Sequence, residues 1–298
     1  MSVAQRDGWH SQDVRRREFL ATALGAVTLV GCSASRSAHA SSASAPSIPA
    51  TPITGMASPT PPVATPGTPG EVLQRSTVPV LCYHQIREHT AADSAGARSL
   101  ICPPAVLERH LRGLVTAGMQ PITSTALVDH LELGATLPAR PVMISFDDAS
   151  AGHFTQALPI LQRLGMPATF FVMTVVLDKP NWLRRDQVRL LDRAGMTIGV
   201  HTWDHHRVTT CTDLDWATQL DRPKAELEDI VGHRLDLFAY PYGAWNPAAL
   251  PHVQQAGYRA AFQLTDQPPD PRRPLFTIRR VLTSSSWDTA TLLTRLRS

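Results

Sequence analysis

From Val78 onward, short runs of apolar residues alternate with longer segments in which apolar residues recur at helical spacing. Because the short runs are apolar at almost every position, they predict strands that are buried on both faces. The longer segments predict helices that cover those strands. The predicted strands are VPVLCYH, PVMISFD, ATFFVMT, MTIGVHT, LFAYP and AAFQL, and the predicted helices are LERHLRGLVTAG, HFTQALPILQRLG, RRDQVRLLDRAG and DWATQLDRPKAELEDIVG.

Each of the predicted helices ends in a glycine, at Gly118, Gly165, Gly195 and Gly232. A helix often ends with a residue at positive φ, which glycine adopts without steric cost. The alternation of strands and helices predicts an α/β fold with a parallel sheet, either closed as a barrel or open and doubly wound. In both architectures the functional side chains lie at the C-terminal ends of the strands.

The first 32 residues have the layout of an export signal. The string RRREFL precedes an apolar stretch over residues 21–30, which is too short to span a bilayer. RRREFL resembles a twin-arginine signal, and the Leu-Val-Gly-Cys that ends at Cys32 resembles a lipobox. We therefore expect an exported protein of the cell envelope or periplasm, anchored to the membrane by a lipid on Cys32. Cleavage after Ala40 would instead give a secreted soluble protein, and a cytoplasmic chain with a fortuitous pattern is the third alternative.

Residues 33–77 differ in composition from the rest of the chain. They hold eight of the 25 prolines in 45 positions, and Ser, Ala, Thr and Gly fill most of the others. Such a segment buries too little apolar surface to offset the entropy of ordering it. The composition predicts a disordered, extended tether, followed by one domain over residues 78–298.

Charge and cysteine content exclude two classes of protein. The 298 residues include 28 basic and 25 acidic side chains, a formal net charge of +3, and within residues 78–298 the counts are 22 and 21. A nearly neutral domain lacks the basic surface that nucleic-acid binding requires, and four cysteines are too few for a disulfide scaffold. Cys82 is expected as a buried thiol, and a bridge between Cys82 and Cys102 is left open.

Polar residues follow four of the predicted strands at the point where each strand ends, namely His84; Asp147 and Asp148; His201 and His205; and Tyr240 and Tyr242. Two imidazoles at i and i+4, with a carboxylate from another strand end, can hold a divalent ion and leave positions open for water and substrate. A bound cation lowers the pKa of that water, and a second carboxylate can take its proton. The pattern therefore indicates a metal-dependent hydrolase.

SFDDA, HTWDH and YPYG, in this order, resemble the first three motifs of the polysaccharide deacetylases, which are carbohydrate esterase family 4 or NodB-homology domains. The resemblance covers residues 78–298 and implies a distorted (β/α) barrel of about seven parallel strands. By position, it implies that Asp147 is the general base. It also implies that Asp148, His201 and His205 bind a divalent metal, with zinc expected and Co²⁺ or Ni²⁺ able to substitute.

The resemblance also implies a substrate pocket. Its third motif, Tyr240, Pro241, Tyr242 and Gly243, would line the acetyl pocket, with the backbone N–H of Tyr242 stabilising the oxyanion. Trp203 and Trp245 flank the motifs and are expected either to stack on sugar rings or to pack at the barrel rim.

The opening VPVLCYHQI resembles a circularly permuted subgroup that acts on poly-β-1,6-N-acetylglucosamine. In that subgroup a histidine at this position serves as general acid, which here would be His84. Two positions depart from the family pattern: Ala149 replaces the usual Gly after the acid pair, and Ala239 replaces the Arg that orients the base. The subgroup carries an Arg in a late strand, and Arg280 is the nearest match to it.

These observations predict a hydrolase that removes acetyl groups from an N-acetylglucosamine-containing polysaccharide outside the cytoplasm and releases acetate. The expected partners are this glycan and, through the lipid anchor, a membrane, and the protein is expected to be a monomer that binds no nucleic acid. Two alternatives stay open. One is a hydrolase of other non-peptide C–N bonds, and the other is a catalytically weak carbohydrate-binding lipoprotein.

Overall fold

The computed structural model describes residues 65–264 and 267–296. The strands are β1 (Val80–Tyr83), β2 (Gln85–Ile86), β3 (Ile101–Cys102), β4 (Gln120–Ile122), β5 (Pro141–Phe146), β6 (Thr169–Val172), β7 (Thr197–Val200), β8 (Leu237–Ala239), β9 (Ala260–Phe262) and β10 (Val281–Leu282). The α-helices are α1 (Pro69–Arg75), α2 (Ala95–Leu100), α3 (Pro104–Thr116), α4 (Ser124–Leu133), α5 (Leu158–Leu164), α6 (Arg185–Arg193), α7 (Arg222–Val231), α8 (Ala249–Gln255) and α9 (Thr289–Arg295).

Seven parallel strands form a curled sheet in the order β10-β1-β5-β6-β7-β8-β9, and β4 pairs with β5. The segment that ends in β10 approaches both edges of this sheet, because Ile278 bridges Phe262 of β9 and β10 pairs with β1. The predicted distorted (β/α) barrel of about seven parallel strands is therefore confirmed. The two short strands β2 and β3 pair only with each other, and two-residue strands leave no pattern in the sequence.

All six predicted strands and all four predicted helices are present, with ends shifted by a few residues. The four predicted glycine ends have φ between 64° and 84°, which confirms the expected helix termination. Two helices begin differently from a regular α-helix. One turn of π-helix leads into α5 (His153–Ala157) and another into α7 (Ala217–Asp221).

Alternate residues of the strands pack into two separate apolar clusters, as the period of a strand requires. Leu81 and Phe170 pack on the face covered by α3, α5, α6 and α7. Val80 and Phe171, their neighbours, pack on the opposite face together with Val72 of α1 and with α4. The helices α1 and α4 therefore cover a face of the sheet that the other helices do not reach.

The helix α1 lies inside the segment predicted to be a disordered tether. Thr68 and Glu71 form a capping box at its start, and Val72 is only 3% exposed. Arg75 donates a hydrogen bond of 3.1 Å to the carbonyl of Leu131 in α4. The predicted boundary at residue 77 is therefore wrong, because a capped turn with one buried apolar side chain orders residues 65–77. Cys32, Ala40 and residues 33–64 of the tether lie outside the described residues.

Two further expectations concern cysteines and membranes. Cys82, Cys102 and Cys211 are free thiols, so the bridge left open between Cys82 and Cys102 is absent, while the prediction of a buried Cys82 is confirmed. Among the helices of the described part of the chain, none is both long and apolar enough to cross a membrane.

Candidate active site

His84 and Asp147 lie side by side where β1 and β5 end. The register of these strands pairs Tyr83 with Phe146, so the residue after each strand leaves the sheet at the same place. The N–H of Asp147 donates to the carbonyl of Tyr83 at 2.9 Å, which extends the pairing by one residue. The parallel sheet thus brings together two residues that are far apart in the sequence.

Asp148, His201 and His205 form a second group at the same edge of the sheet. The Oδ1 atom of Asp148 lies 3.4 Å from Nε2 of His201 and 3.3 Å from Nε2 of His205. An ion about 2.1 Å from each of two atoms, at a tetrahedral angle, would separate those atoms by roughly 3.4 Å. Both distances from Asp148 therefore fit a tetrahedral divalent ion such as zinc, and the three ligand atoms all lie within 4.8 Å of one another.

The hydrogen bonds of this group also fit a cation. Nδ1 of His201 donates to the carbonyl of Ala239 at 2.7 Å, so a neutral ring turns the lone pair of Nε2 toward Asp148. The buried Oδ1 of Asp148 accepts no hydrogen bond from any described residue. A cation between these atoms would replace the repulsion of lone pairs by coordination, so the three residues could hold a metal ion.

Electrostatics in this group favour positive charge. Burial alone would lower the pKa of His201, yet the Asp147 and Asp148 carboxylates outweigh it and raise the pKa above its ordinary value. Burial alone would raise the pKa of Asp148, yet His201 and His205 outweigh it and hold that pKa well below its ordinary value. Asp148 is therefore a carboxylate at neutral pH, the form that binds a metal.

Arg280 holds the carboxylate of Asp147 on its other side. Its two terminal nitrogens donate hydrogen bonds of 2.6 and 2.7 Å to the two oxygens of Asp147, and both side chains are almost completely buried. Arg280 is fixed in turn by the hydroxyl of Ser145 at 3.2 Å and by the carbonyl of Gln263 at 3.2 Å. The cation missing at Ala239 is thus supplied from the segment before β10.

The pKa of Asp147 reflects this pairing. Burial alone would raise it, but Arg280 and then His201 outweigh burial and lower it to about 2. Asp147 is therefore ionised at neutral pH and keeps a fixed orientation. Such a carboxylate can accept a proton from a molecule that lies between it and the three residues Asp148, His201 and His205.

His84 completes the site from β1. Its carbonyl accepts a hydrogen bond of 2.6 Å from Nε2 of His153, a fully buried histidine next to the acid pair. Burial lowers the pKa of His84 despite the nearby Asp148 and Asp147 carboxylates, and burial lowers that of His153 to about 4. His153 is therefore a neutral ring that fixes the backbone of His84.

The backbone of the three motifs is strained. Five motif residues have φ between 58° and 79°, a region that residues other than glycine rarely adopt: Asp148, Ala149, Thr202, His205 and Tyr242. These residues are five of the eight non-glycine residues with positive φ in the described ranges. The usual glycine at position 149 suits this conformation, and Ala149 adopts it with φ 69°.

The third motif covers the metal-ligand group with one aromatic ring. Tyr242 is 49% exposed, and its ring meets that of His205 edge-on at 4.4 Å. The guanidinium of Arg207 lies 3.9 Å from the centre of the same ring. Pro241 and Gly243 are buried beneath it. Tyr242 therefore lies against the metal-ligand group, and its place in an acetyl pocket stays a prediction.

Two residues predicted to contact substrate point elsewhere. Tyr240 is fully buried and its hydroxyl donates to the carbonyl of Phe276 at 2.9 Å. Trp245 is 7% exposed, and its Nε1 donates to the amide oxygen of Gln263 at 2.7 Å. Neither ring offers a face to a sugar, so packing at the barrel rim describes Trp245 better than stacking, and the prediction for the Tyr240 side chain is wrong.

Trp203 occupies an intermediate position. It is partly exposed, and the guanidinium of Arg222 lies 4.6 Å from the centre of its ring, so one face is covered. Stacking of Trp203 on a sugar stays a prediction.

Four residues of the site were not singled out from the sequence: Ser145, His153, Arg207 and Gln263. A signal existed for Ser145, because it stands two positions before Asp147 and therefore faces the same side of the strand. No comparable signal exists for Gln263 or Arg207, whose roles depend on loop conformation.

Comparisons with known proteins identify a family and relatives to which this chain is similar. The sequence profile of the family "Polysaccharide deacetylase" matches residues 134–261. YxkH of Bacillus subtilis (strain 168), provisionally named a polysaccharide deacetylase, is 25% identical over 182 residues, 61% of this chain and 62% of that protein. Poly-β-1,6-N-acetyl-D-glucosamine N-deacetylase of Staphylococcus aureus (strain MRSA252) is 26% identical over 161 residues, 49% of this chain and 56% of that protein. The chain thus spans about three fifths of these relatives.

Two solved structures share the fold. The Streptococcus pyogenes deacetylase PplD, solved in complex with acetate, has a TM-score of 0.68 and 20% identity, covering 74% of this chain and 98% of that one. IcaB from Ammonifex degensii has a TM-score of 0.62 and 21% identity, covering 74% and 97%.

Proposed function

Because the chain belongs to the polysaccharide deacetylase family, we propose that it hydrolyses the N-acetyl groups of an N-acetylglucosamine-containing polysaccharide and releases acetate. One observation carries this proposal. A buried carboxylate, Asp147, lies between the guanidinium of Arg280 and a group of three ligands that fits a divalent ion. Hydrolysis of an unactivated amide needs both a base and an electrophile within one site, and this geometry offers both.

Asp148, His201 and His205 would hold the divalent ion, and zinc is the expected metal. When bound, such an ion polarises the amide carbonyl and lowers the pKa of water. Asp147 then accepts the proton of the attacking water. The carboxylate suits this step because Arg280 keeps it ionised and oriented.

His84 and Tyr242 would act on the other atoms of the amide. His84 lies beside Asp147 and would donate a proton to the leaving nitrogen. Burial lowers the pKa of His84, so its protonated form is a stronger acid than an ordinary imidazolium and gives up its proton more readily. The backbone N–H of Tyr242 would stabilise the oxyanion.

The glycan is proposed from the relatives. The Staphylococcus aureus relative is named for poly-β-1,6-N-acetyl-D-glucosamine, and VPVLCYHQI resembles the subgroup that acts on this polymer. The alternative of a catalytically weak binding protein rested on the loss of an arginine at Ala239 and on Ala149 in place of the usual glycine. Against the first reason, Arg280 pairs with Asp147 through both oxygens. Against the second, Ala149 adopts the positive φ that a glycine would take there.

The test is acetate release from defined β-1,6 and β-1,4 N-acetylglucosamine oligomers by the zinc- or cobalt-loaded protein. We expect release from the β-1,6 oligomers that is lost on chelation and lost in Asp147→Asn, which should still bind metal. Absence of release from every acetylated oligomer would overturn the proposal, and hydrolysis of cyclic amides in its place would favour the other C–N hydrolases.

We propose further that the protein acts outside the cytoplasm, anchored by a lipid on Cys32. The support is the sequence RRREFL with the lipobox that follows it. Cell fractionation of wild type and Cys32→Ala tests this. Unchanged membrane association of the variant would exclude the lipid anchor, and release into the medium or periplasm would support it.

A further inference from the structure

A buried thiol lies directly against the proposed base and acid. Sγ of Cys82 donates to Oδ2 of Asp147 at 3.5 Å and lies 4.0 Å from Nδ1 of His84. Cys82 is fully buried. None of the steps proposed above uses this thiol.

We propose that Cys82, His84 and Asp147 form a second metal site, which takes a thiophilic divalent ion such as Cd²⁺ or excess Zn²⁺ and inhibits the enzyme. The three ligand atoms all lie within 4.8 Å of one another. A tetrahedral zinc with one sulfur and one nitrogen ligand would separate these two atoms by roughly 3.6 Å. The observed separations are 3.5 Å between sulfur and oxygen and 4.0 Å between sulfur and nitrogen, so the site suits zinc or a somewhat larger soft ion such as Cd²⁺.

The charges of the surrounding groups decide which ions can bind. The negative charge of Asp147 is already paired with Arg280, so the carboxylate alone would not attract a divalent ion strongly. Binding therefore needs the thiolate. The S–H bond breaks, its electron pair forms the metal–sulfur bond, and the proton leaves to solvent. Thiolate ligands select soft ions, so Mg²⁺ and Ca²⁺ should not occupy the site.

This second site differs from the group formed by Asp148, His201 and His205. Metal binding by Asp148, His201 and His205 displaces no thiol proton, so these three residues should fill first. Cys82 should bind only metal added beyond one equivalent. An ion at Cys82 would occupy the carboxylate and imidazole that serve as base and acid. The inhibitory effect thus rests on the proposed function, whereas the binding does not.

The experiment uses the full chain with Cys32, Cys102 and Cys211 replaced by Ser, so that Cys82 is the one remaining thiol. The protein is loaded with one equivalent of Zn²⁺ and titrated with Cd²⁺. Ultraviolet charge-transfer absorption reports the cadmium–thiolate bond, and mass spectrometry of the bound metal reports the stoichiometry. We expect one thiolate-bound Cd²⁺ per chain, and none when Cys82→Ser or Cys82→Ala is added.

Inhibition is measured in parallel as acetate release. Cys82→Ser and Cys82→Ala should need at least roughly ten-fold more Cd²⁺ for half inhibition than the parent with Cys82 intact, and Mg²⁺ should inhibit none of them. Thermal unfolding shows which of the two variants is folded. Absence of the cadmium–thiolate absorption in the parent, or equal absorption without Cys82, would overturn the inference. A protein that binds Cd²⁺ through Cys82 but deacetylates no glycan would instead contradict the proposed function.

Discussion

Arg280 holds both carboxylate oxygens of Asp147, through hydrogen bonds of 2.6 and 2.7 Å, although 133 residues separate the two in the sequence. The contact exists because the segment before β10 bridges β9 at Ile278 and then pairs with β1, so Arg280 lies between the two edges of the sheet, and β5, which Asp147 follows, is the neighbour of β1. The family pattern places an arginine where this chain has Ala239. The pairing thus places a guanidinium on the proposed base, but the arginine comes from a different part of the chain.

Replacing Arg280 with Gln should change the pH dependence of catalysis. The guanidinium keeps the pKa of Asp147 near 2, so its removal should raise that pKa. The base must be ionised, and activity is lost as the pH falls through its pKa. The acid limb of kcat/KM should therefore move to higher pH. kcat should also fall at least roughly ten-fold, because a carboxylate that is no longer held in place loses part of the rate gain from general-base catalysis. Arg280→Lys keeps the charge and should move the limb less. An unmoved limb in Arg280→Gln would contradict the assignment.

The same pair makes a prediction about stability. Because the pKa of Asp147 is depressed from its ordinary 3.8, its contribution to stability is present above that value and is lost as the pH falls through about 2. Arg280→Gln should destabilise the fold by about 3–5 kcal/mol at neutral pH, since it leaves a buried charge unpaired. Urea unfolding of Arg280→Gln/Asp147→Asn should show partial recovery. No recovery would mean that Arg280 stabilises the fold through contacts other than Asp147.

Much of the fold and the ligand group follows from sequence, because apolar runs and strand ends are local features. Contacts between residues far apart in the sequence depend on how the strands pair, and no local pattern indicates them. Only the resemblance pointed to Arg280, and nothing local indicated that the Ala239 carbonyl would orient His201. For Tyr240 a local signal existed, because it stands two positions after Phe238 and therefore points to the same face of the sheet, the one covered by α3, α5, α6 and α7. Its place in the motif suggested a role that its side chain does not have.

Removing the charge of Asp148 should abolish metal binding. Asp148 has φ 79°, a conformation that Asn tolerates, so Asp148→Asn changes the ligand without straining the backbone. We expect zinc affinity to fall by more than roughly 100-fold and thermal stability to become insensitive to chelator. Zinc content after gel filtration checks this. Asp204→Asn is the matched control, because Asp204 is an exposed carboxylate in the loop after β7, between His201 and His205, and this variant should keep its zinc. Wild-type zinc content in Asp148→Asn would place the ion elsewhere.

Gly152 packs against the backbone of Ile86, two residues after His84. A Cβ at this position would lie 2.0 Å from the carbonyl oxygen of Ile86 in β2. Because backbone cannot rotate away, Gly152→Ala should destabilise the protein by roughly 1–3 kcal/mol. It should also lower kcat more than it changes KM, because it displaces the segment that carries His84. Gly70→Ala in α1 is the control: its Cβ would meet nothing within 4 Å, and it should be neutral or stabilising. Equal unfolding midpoints and kcat in the two variants would contradict the proposed contact.

The last prediction concerns where the folded domain begins. Composition alone assigned residues 65–77 to a disordered tether, because one buried side chain in a proline-rich segment barely alters the average. Val72 is that side chain, and it packs with Leu127 and Leu131 of α4 against the sheet. Val72→Ala should cost about 2 kcal/mol through the lost methyl burial and the cavity left behind. Gln74→Ala, on the exposed side of the same helix, should change stability by less than about 0.5 kcal/mol. Chemical unfolding of both variants measures the difference, and equal midpoints would mean that α1 contributes nothing to the folded domain in solution.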